Sequence, residues 1–138
     1  MMISTRGRYA LRVMLDLAYQ DSANYVPLRD IANRQNISVK YLESVIKALV
    51  SEGLLAGMRG KGGGYKLTNP PAEYSIGTIL RLTEGTLAPV ACLDCADGTS
   101  DCEHADSCQT LPLWKKLDEV IEGYLDSVSL EDLMNNKL

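Results

Sequence analysis

The sequence predicts a mainly α-helical chain with one small β-hairpin, and three observations carry that prediction. Apolar residues recur at helical spacing in five separate segments. One glycine-rich stretch, "LLAGMRGKGGGYKL", interrupts them with the pattern strand, tip, strand. All four cysteines and the single histidine lie in one acidic loop, "CLDCADGTSDCEHADSC", from Cys92 to Cys108. At 138 residues the chain holds one domain, or one compact unit with a projecting element.

In the first segment Ala10, Val13, Met14, Leu17 and Ala18 form one stripe, with Arg8 and Arg12 on the polar face. After a loop from Asp21 to Val26, Pro27 fits a first helical turn, where its missing N–H is not needed, and Leu28, Ile31 and Ala32 continue a short second helix. Asn36 tolerates the positive φ of a tight turn, and Ser38 is a good N-cap for a third helix. Ile37 and Leu42 are placed as a hydrophobic staple. The third helix is expected to bury Leu42, Val45, Ile46, Leu49 and Val50, to present Val39, Lys40, Glu43, Ser44 and Lys47, and to end at Gly53. A short helix, a turn and a longer helix with a mixed polar face make a helix-turn-helix. The glycine-rich hairpin that follows is then a β-wing, with Leu54, Leu55, Tyr65 and Leu67 as its apolar contacts and Arg59 and Lys61 at its tip. The run is not a nucleotide-binding loop, because Gly-Lys-Ser/Thr is absent and Tyr65 stands where the dinucleotide pattern needs glycine.

Charge divides along the same line. Through Pro70 there are ten basic and five acidic residues, net +5; from Pro71 onward there are four and thirteen, net −9. The first half suits a polyanion and the second does not. No stretch has the apolar length of a membrane span, and the segment from Met1 to Ala18 is broken by Arg6, Arg8, Arg12 and Asp16, so a cytoplasmic protein is expected. No nucleophile–base pair points to an enzyme.

The segments "ISTRGRYALRVMLDLA", "VPLRDIANRQNISVKYLESVIKAL", "GLLAGMRGKGGGYKL" and "LWKKLDEVIEGYLDSVSLEDL" resemble the Rrf-two family of bacterial winged-helix transcription regulators, which includes IscR-type, NsrR-type and CymR-type proteins. The pairing of "YLE" with "RGxxGGY" is the specific part. The resemblance implies that Ser38, Lys40, Tyr41 and Glu43 begin the helix that enters the major groove of double-stranded DNA, with Ser44 and Lys47 further along it. It implies that Arg59 and Gly60, with Lys61 beside them, are the minor-groove contact. Serine and lysine suit phosphates or base acceptors, and Glu43 can accept from cytosine N4 or simply be a solvated neighbour of Lys40 or Lys47.

In the second half, Ser75 caps a short helix bearing Ile76, Ile79 and Leu80, closed by Gly85. From Leu113 a last helix carries Leu113, Leu117, Val120, Tyr124 and Val128 on one stripe, widened by Trp114, Ile121 and Leu125. So broad a stripe wants two partners, its own domain and the same helix of a second subunit. The expected class is therefore α+β, a winged helix-turn-helix domain (1–84), a cysteine loop (85–111), and a long C-terminal dimerisation helix with its tail (112–138), working as a homodimer on a palindromic operator.

For the cysteines, a reducing compartment disfavours disulfides. The carboxylates of Asp94, Asp97, Asp101, Glu103 and Asp106 disfavour free thiolates, which argues for a bound metal centre. The irregular spacing Cys92-x2-Cys95-x6-Cys102-x5-Cys108 fits an iron-sulfur cluster better than a zinc ribbon. The IscR-type resemblance implies a 2Fe-2S cluster rather than 4Fe-4S, held by three cysteines and a histidine, and it matches Cys92, Cys102 and Cys108 to the cysteines. Leu111 stands at the family histidine, so Cys95 is the expected fourth ligand, with His104 as the alternative. NsrR-type sensors use an acidic residue where this chain has Arg8, and CymR-type proteins need no cysteine cluster. The expected function is a transcription regulator, a repressor, reporting cluster, iron or redox status. A structural zinc, thiol or nitric oxide sensing, and an iron-sulfur electron carrier are the alternatives.

Overall fold

A computed structural model describes residues 2–93 and 102–138, and its elements follow the expected order. They are α1 (Thr5–Ala18), α2 (Leu28–Gln35), α3 (Val39–Ser51), β1 (Leu55–Met58), β2 (Gly64–Leu67), α4 (Ile76–Glu84), α5 (Leu111–Ser127) and α6 (Leu130–Met134). Short 3-10 turns at Pro71–Glu73 and Ala91–Leu93 lie before α4 and after it.

The apolar stripe of α1 is the centre of the core. Ala10, Val13, Met14 and Leu17 are buried, and α1 packs against α2, α3, β2, α4 and α6. Leu42, Val45, Ile46 and Leu49 of α3 close one side, while Ile76, Ile79 and Leu80 of α4 and Leu130 of α6 close another. Val50 is only half-buried, at the edge of this core.

The caps work as local chemistry dictates. The Ser38 hydroxyl accepts from the Tyr41 amide, and the Ser75 hydroxyl from the Thr78 amide. Pro27 precedes α2 as its N-cap rather than lying inside the first turn. Asn36 ends α2 with φ 54°, the left-handed geometry that reverses the chain into α3. At the end of α3 the Gly53 amide reaches the Val50 carbonyl (3.0 Å) and the Leu54 amide the Leu49 carbonyl (2.9 Å), the paired bonds of a Schellman motif.

The wing is an antiparallel pair with Leu55 opposite Leu67, Ala56 opposite Lys66, Gly57 opposite Tyr65 and Met58 opposite Gly64. Its base is tied down twice. Val26, from the α1–α2 loop, exchanges two backbone hydrogen bonds of 2.8 Å with Tyr65. The approach is so close that a Cβ on Gly64 would lie 2.1 Å from the Val26 carbonyl oxygen, so this glycine is required by the wing's own packing. The buried Tyr74 hydroxyl accepts from the Thr68 and Asn69 amides and donates to the Leu54 carbonyl, each at 2.9 Å.

The final helix differs from the sequence expectation at both ends. It begins at Leu111, two residues earlier, and stops at Ser127. Val128 is therefore no part of its stripe: it is extended, buried in the core, and its carbonyl accepts from the Ile76 amide at 2.9 Å. Helix α6 then starts in a capping box between Ser129 and Asp132.

Because Tyr74 joins three backbone groups at the wing's base, Tyr74→Phe is expected to cost about 1 kcal/mol by removing the hydroxyl that all three share. Urea denaturation should show a lower midpoint at unchanged slope; an unaltered midpoint would mean that the hydroxyl is dispensable.

Candidate nucleic-acid interface and cysteine segment

The pose of the helix-turn-helix is set by a carboxylate that sequence patterning does not single out. Asp16 is buried on α1 and accepts from Arg34 Nε (3.0 Å) and a terminal guanidinium nitrogen (2.8 Å), and from the Gln35 side-chain Nε2 (2.8 Å). These bonds fasten the end of α2, and so the turn into α3, to the core helix. The hydrogen bond to Asp16 raises the Arg34 pKa above its ordinary value, reinforcing a charge that is already permanent.

With α3 so held, Ser38, Lys40, Tyr41, Glu43, Ser44 and Lys47 are all exposed, as are Arg59, Gly60 and Lys61 on the wing. Glu43, Lys47 and Arg59 share one cleft of about 580 Å³ between α3 and the wing, together with Met58 and Tyr65. Ser38 and Tyr41 line a separate cleft on the other flank of α3. Lys40, Ser44, Gly60 and Lys61 line neither. Among the described residues Glu43 makes no ion pair with Lys40 or Lys47. Residues outside the expected set also reach this face: Arg6 donates to the Ser44 carbonyl, and Met58 is an exposed apolar side chain; Val39 is exposed there as expected.

Helix α5 is clamped to α4. Arg81 bonds Glu122 and Asp126, the latter at 2.6 Å, and a Cβ on Gly77 would lie 2.1 Å from an Asp126 oxygen, so the helices touch closely there. Ile121 and Leu125 pack toward the core. The opposite side stays open, with Leu113 59%, Val120 56%, Tyr124 55% and Leu117 39% exposed.

Of the cysteines, Cys92 lies half-buried in the turn Ala91–Leu93, Cys102 is exposed, and Cys108 is half-buried just ahead of α5. Cys95 lies outside the described residues. His104 is exposed, and its carbonyl accepts from the Ser107 amide in a chain of turns. Among the described residues no three potential ligands are gathered as a metal would require. Leu111, at the position of the family histidine, is buried as the first residue of α5. At Cys108 local hydrogen bonds act in the opposite direction to that expected of the neighbouring carboxylates. Its pKa is lowered, first by the Thr110 hydroxyl 3.3 Å away and then by the Thr110 and Leu111 amides at the start of α5.

A recognition helix and a basic wing carried on a three-helix core define a winged helix-turn-helix protein that binds DNA. The family model for Rrf2, described as an iron-dependent transcriptional regulator, matches residues 3–136, and the chain belongs to this family. It is 37% identical over 137 residues to the HTH-type transcriptional regulator IscR of Serratia proteamaculans, covering 99% of this chain and 81% of that one. Among solved structures, CymR, the global cysteine regulator of B. subtilis, superposes with TM-score 0.79 at 35% identity, covering 100% and 99% of the two chains. T. potens IscR does so with TM-score 0.77 at 33% identity, covering 100% and 89%. The winged-helix and non-enzymatic expectations agree with these relatives, and the chain is a transcriptional regulator.

Removing the Thr110 hydroxyl takes away the largest contribution to the Cys108 shift. In chelator-treated protein, Thr110→Val should move the pH–rate profile of Cys108 alkylation to higher pH, followed by mass spectrometry; an unmoved profile would assign the shift elsewhere.

Proposed function

We propose that this regulator is a cytoplasmic homodimer that represses at palindromic operators and reports iron-sulfur cluster, iron or redox status. The observation supporting it most is the shared cleft of Glu43, Lys47 and Arg59, which lies between a helix sized for the major groove and a wing placed for the adjacent minor groove. In this reading Ser38, Lys40, Tyr41 and Ser44 take phosphates or base acceptors, and Glu43, free of an ion pair among the described residues, selects cytosine by accepting from N4. Lys47 neutralises the backbone beside it, and Arg59 enters the minor groove with Gly60 and Lys61 following the phosphates. The open stripe of Leu113, Leu117, Val120 and Tyr124 supports pairing of two α5 helices, which would set two α3 helices about 34 Å apart for successive major grooves.

Residues 85–111 form the sensing segment between the DNA-binding part (1–84) and the dimer helix with its tail (112–138). The described residues do not assemble a ligand set by themselves, so the cofactor reading rests on donor chemistry. Four thiols on one segment, Cys92, Cys95, Cys102 and Cys108, suit an iron-sulfur cluster over a structural zinc, with His104 as the substitute fourth donor, and the likeness to IscR favours 2Fe-2S over 4Fe-4S. When bound, a cluster supplies one-electron redox sensitivity. The chain supplies the connection, because Cys108 adjoins α5 and Arg81 joins α5 to α4. Regulation requires that loaded and empty forms differ in DNA affinity.

Protein purified without oxygen should absorb in the visible and carry iron and acid-labile sulfide in equal amounts. Colourless protein with one zinc per chain would replace the cluster with a structural metal. Separately, a duplex selected by the protein from a random pool should bind two chains with steep salt dependence, and Arg59→Ala should weaken it by about 1–3 kcal/mol. Anisotropy titrations check this, and an Arg59→Ala protein with undiminished affinity would remove the wing from the interface.

A further inference from the structure

Helix α3 has two flanks, and only one faces the wing. On the other, a cleft of about 400 Å³ is lined by Thr5, Tyr9, Asn36, Ile37, Ser38 and Tyr41. Three arginines of α1 lie beside it, two held by contacts to a lining residue or its neighbour and the third through Ser44. Arg8 donates to the Thr5 hydroxyl at 3.0 Å. The Arg12 guanidinium lies 5.3 Å from the centre of the Tyr9 ring and is held there by the Gln35 side chain at 3.1 Å and by the Gln35 carbonyl. Arg6 crosses to the Ser44 carbonyl at 3.3 Å, and the Ser44 hydroxyl in turn donates to the Tyr41 carbonyl at 2.8 Å. The Tyr9 and Tyr41 rings meet edge to face, 5.5 Å apart, as a stiff floor. All three arginines are exposed, no carboxylate lines the cleft, and among the described residues none of the three has an acidic partner.

Exposed arginines without acidic partners, collected beside hydroxyls, offer donors and positive charge to an anion. A helix lying in the major groove runs between two phosphate backbones, and the wing-side cleft can accommodate only one of these. We propose that the α1 cleft seats the second backbone strand, with Arg6 and Arg8 bonding phosphate oxygens directly and Arg12 flattened over Tyr9 as the ledge beside them. Guanidinium forks match phosphate oxygens in geometry as well as charge. The assignment rests on the DNA-binding reading above and extends it to α1, which carries no base-reading role: these bonds set register and affinity for any duplex.

The test measures anisotropy of a labelled generic duplex of about 30 base pairs, long enough for two half-sites, and of a duplex selected from a random pool, across a series of salt concentrations. Arg6→Gln and Arg8→Gln should each lower the slope of log K against log salt by about 0.9 for every phosphate no longer neutralised, twice that in a dimer, and weaken both duplexes by the same factor. Arg6→Lys and Arg8→Lys should recover the slope, and Lys137→Gln, beyond α6, should leave it alone. Slopes unchanged in both glutamine variants would overturn the proposal while leaving the DNA-binding reading intact. So would a fall in affinity for the selected duplex alone, or an equal slope change from Lys137→Gln. Wild-type protein that binds neither duplex would overturn both.

Discussion

Burial of α1 on several sides at once is the constraint from which the rest of the structure follows. Its stripe of Ala10, Val13, Met14 and Leu17 is covered by α3, α4 and α6 together, so each of those elements is positioned by its contact with one helix. The same helix carries Asp16 inward, where the carboxylate is tolerable only because Arg34 and Gln35 satisfy it. Apolar burial fixes how close α2 and α3 come to α1, and the buried carboxylate fixes how they are turned. Recognition of DNA needs both, since a helix rotated by one residue would present Leu42 or Val45 in place of Glu43 and Ser44.

The wing depends on the same core through two ties that are distant in sequence. Val26 supplies it with a third backbone partner, and Tyr74 gathers the strand ends under one hydroxyl. A two-stranded hairpin alone is marginal in water, so these ties convert a flexible tip into a projection with a defined base. Arg59, exposed between the two strands, thus stands on a base whose backbone is fixed from below.

Helix α5 faces two ways. Ile121 and Leu125, with Arg81 linking Glu122 and Asp126 to α4, commit one side to the domain, and the opposite side keeps its large apolar residues in solvent. Cys108 and Thr110 stand at its start, beside a helix fastened to α4 through Arg81.

Much of this was legible in the sequence, because its signals are local. The stripe of α1, the caps at Ser38 and Ser75, the left-handed turn at Asn36 and the hairpin at residues 55–67 depend on neighbours within about one helical turn or one strand pair, and such patterns are written in the spacing of residues. Exposure of Lys40, Glu43, Ser44 and Lys47 followed from the same spacing. Contacts between residues far apart in the chain were settled by the packed fold alone. Asp16 reads as one more polar position until Arg34 and Gln35 are brought to it. Val128 reads as the end of a stripe until Ile76 takes its carbonyl, and Gly64 reads as a loop glycine until Val26 arrives against it. Arg6 gives no sign of its place beside Ser44, because periodicity says which side of a helix a residue occupies and nothing about which other helix lies there. That second fact is set by how the buried faces pack together, a property of the whole chain rather than of any segment.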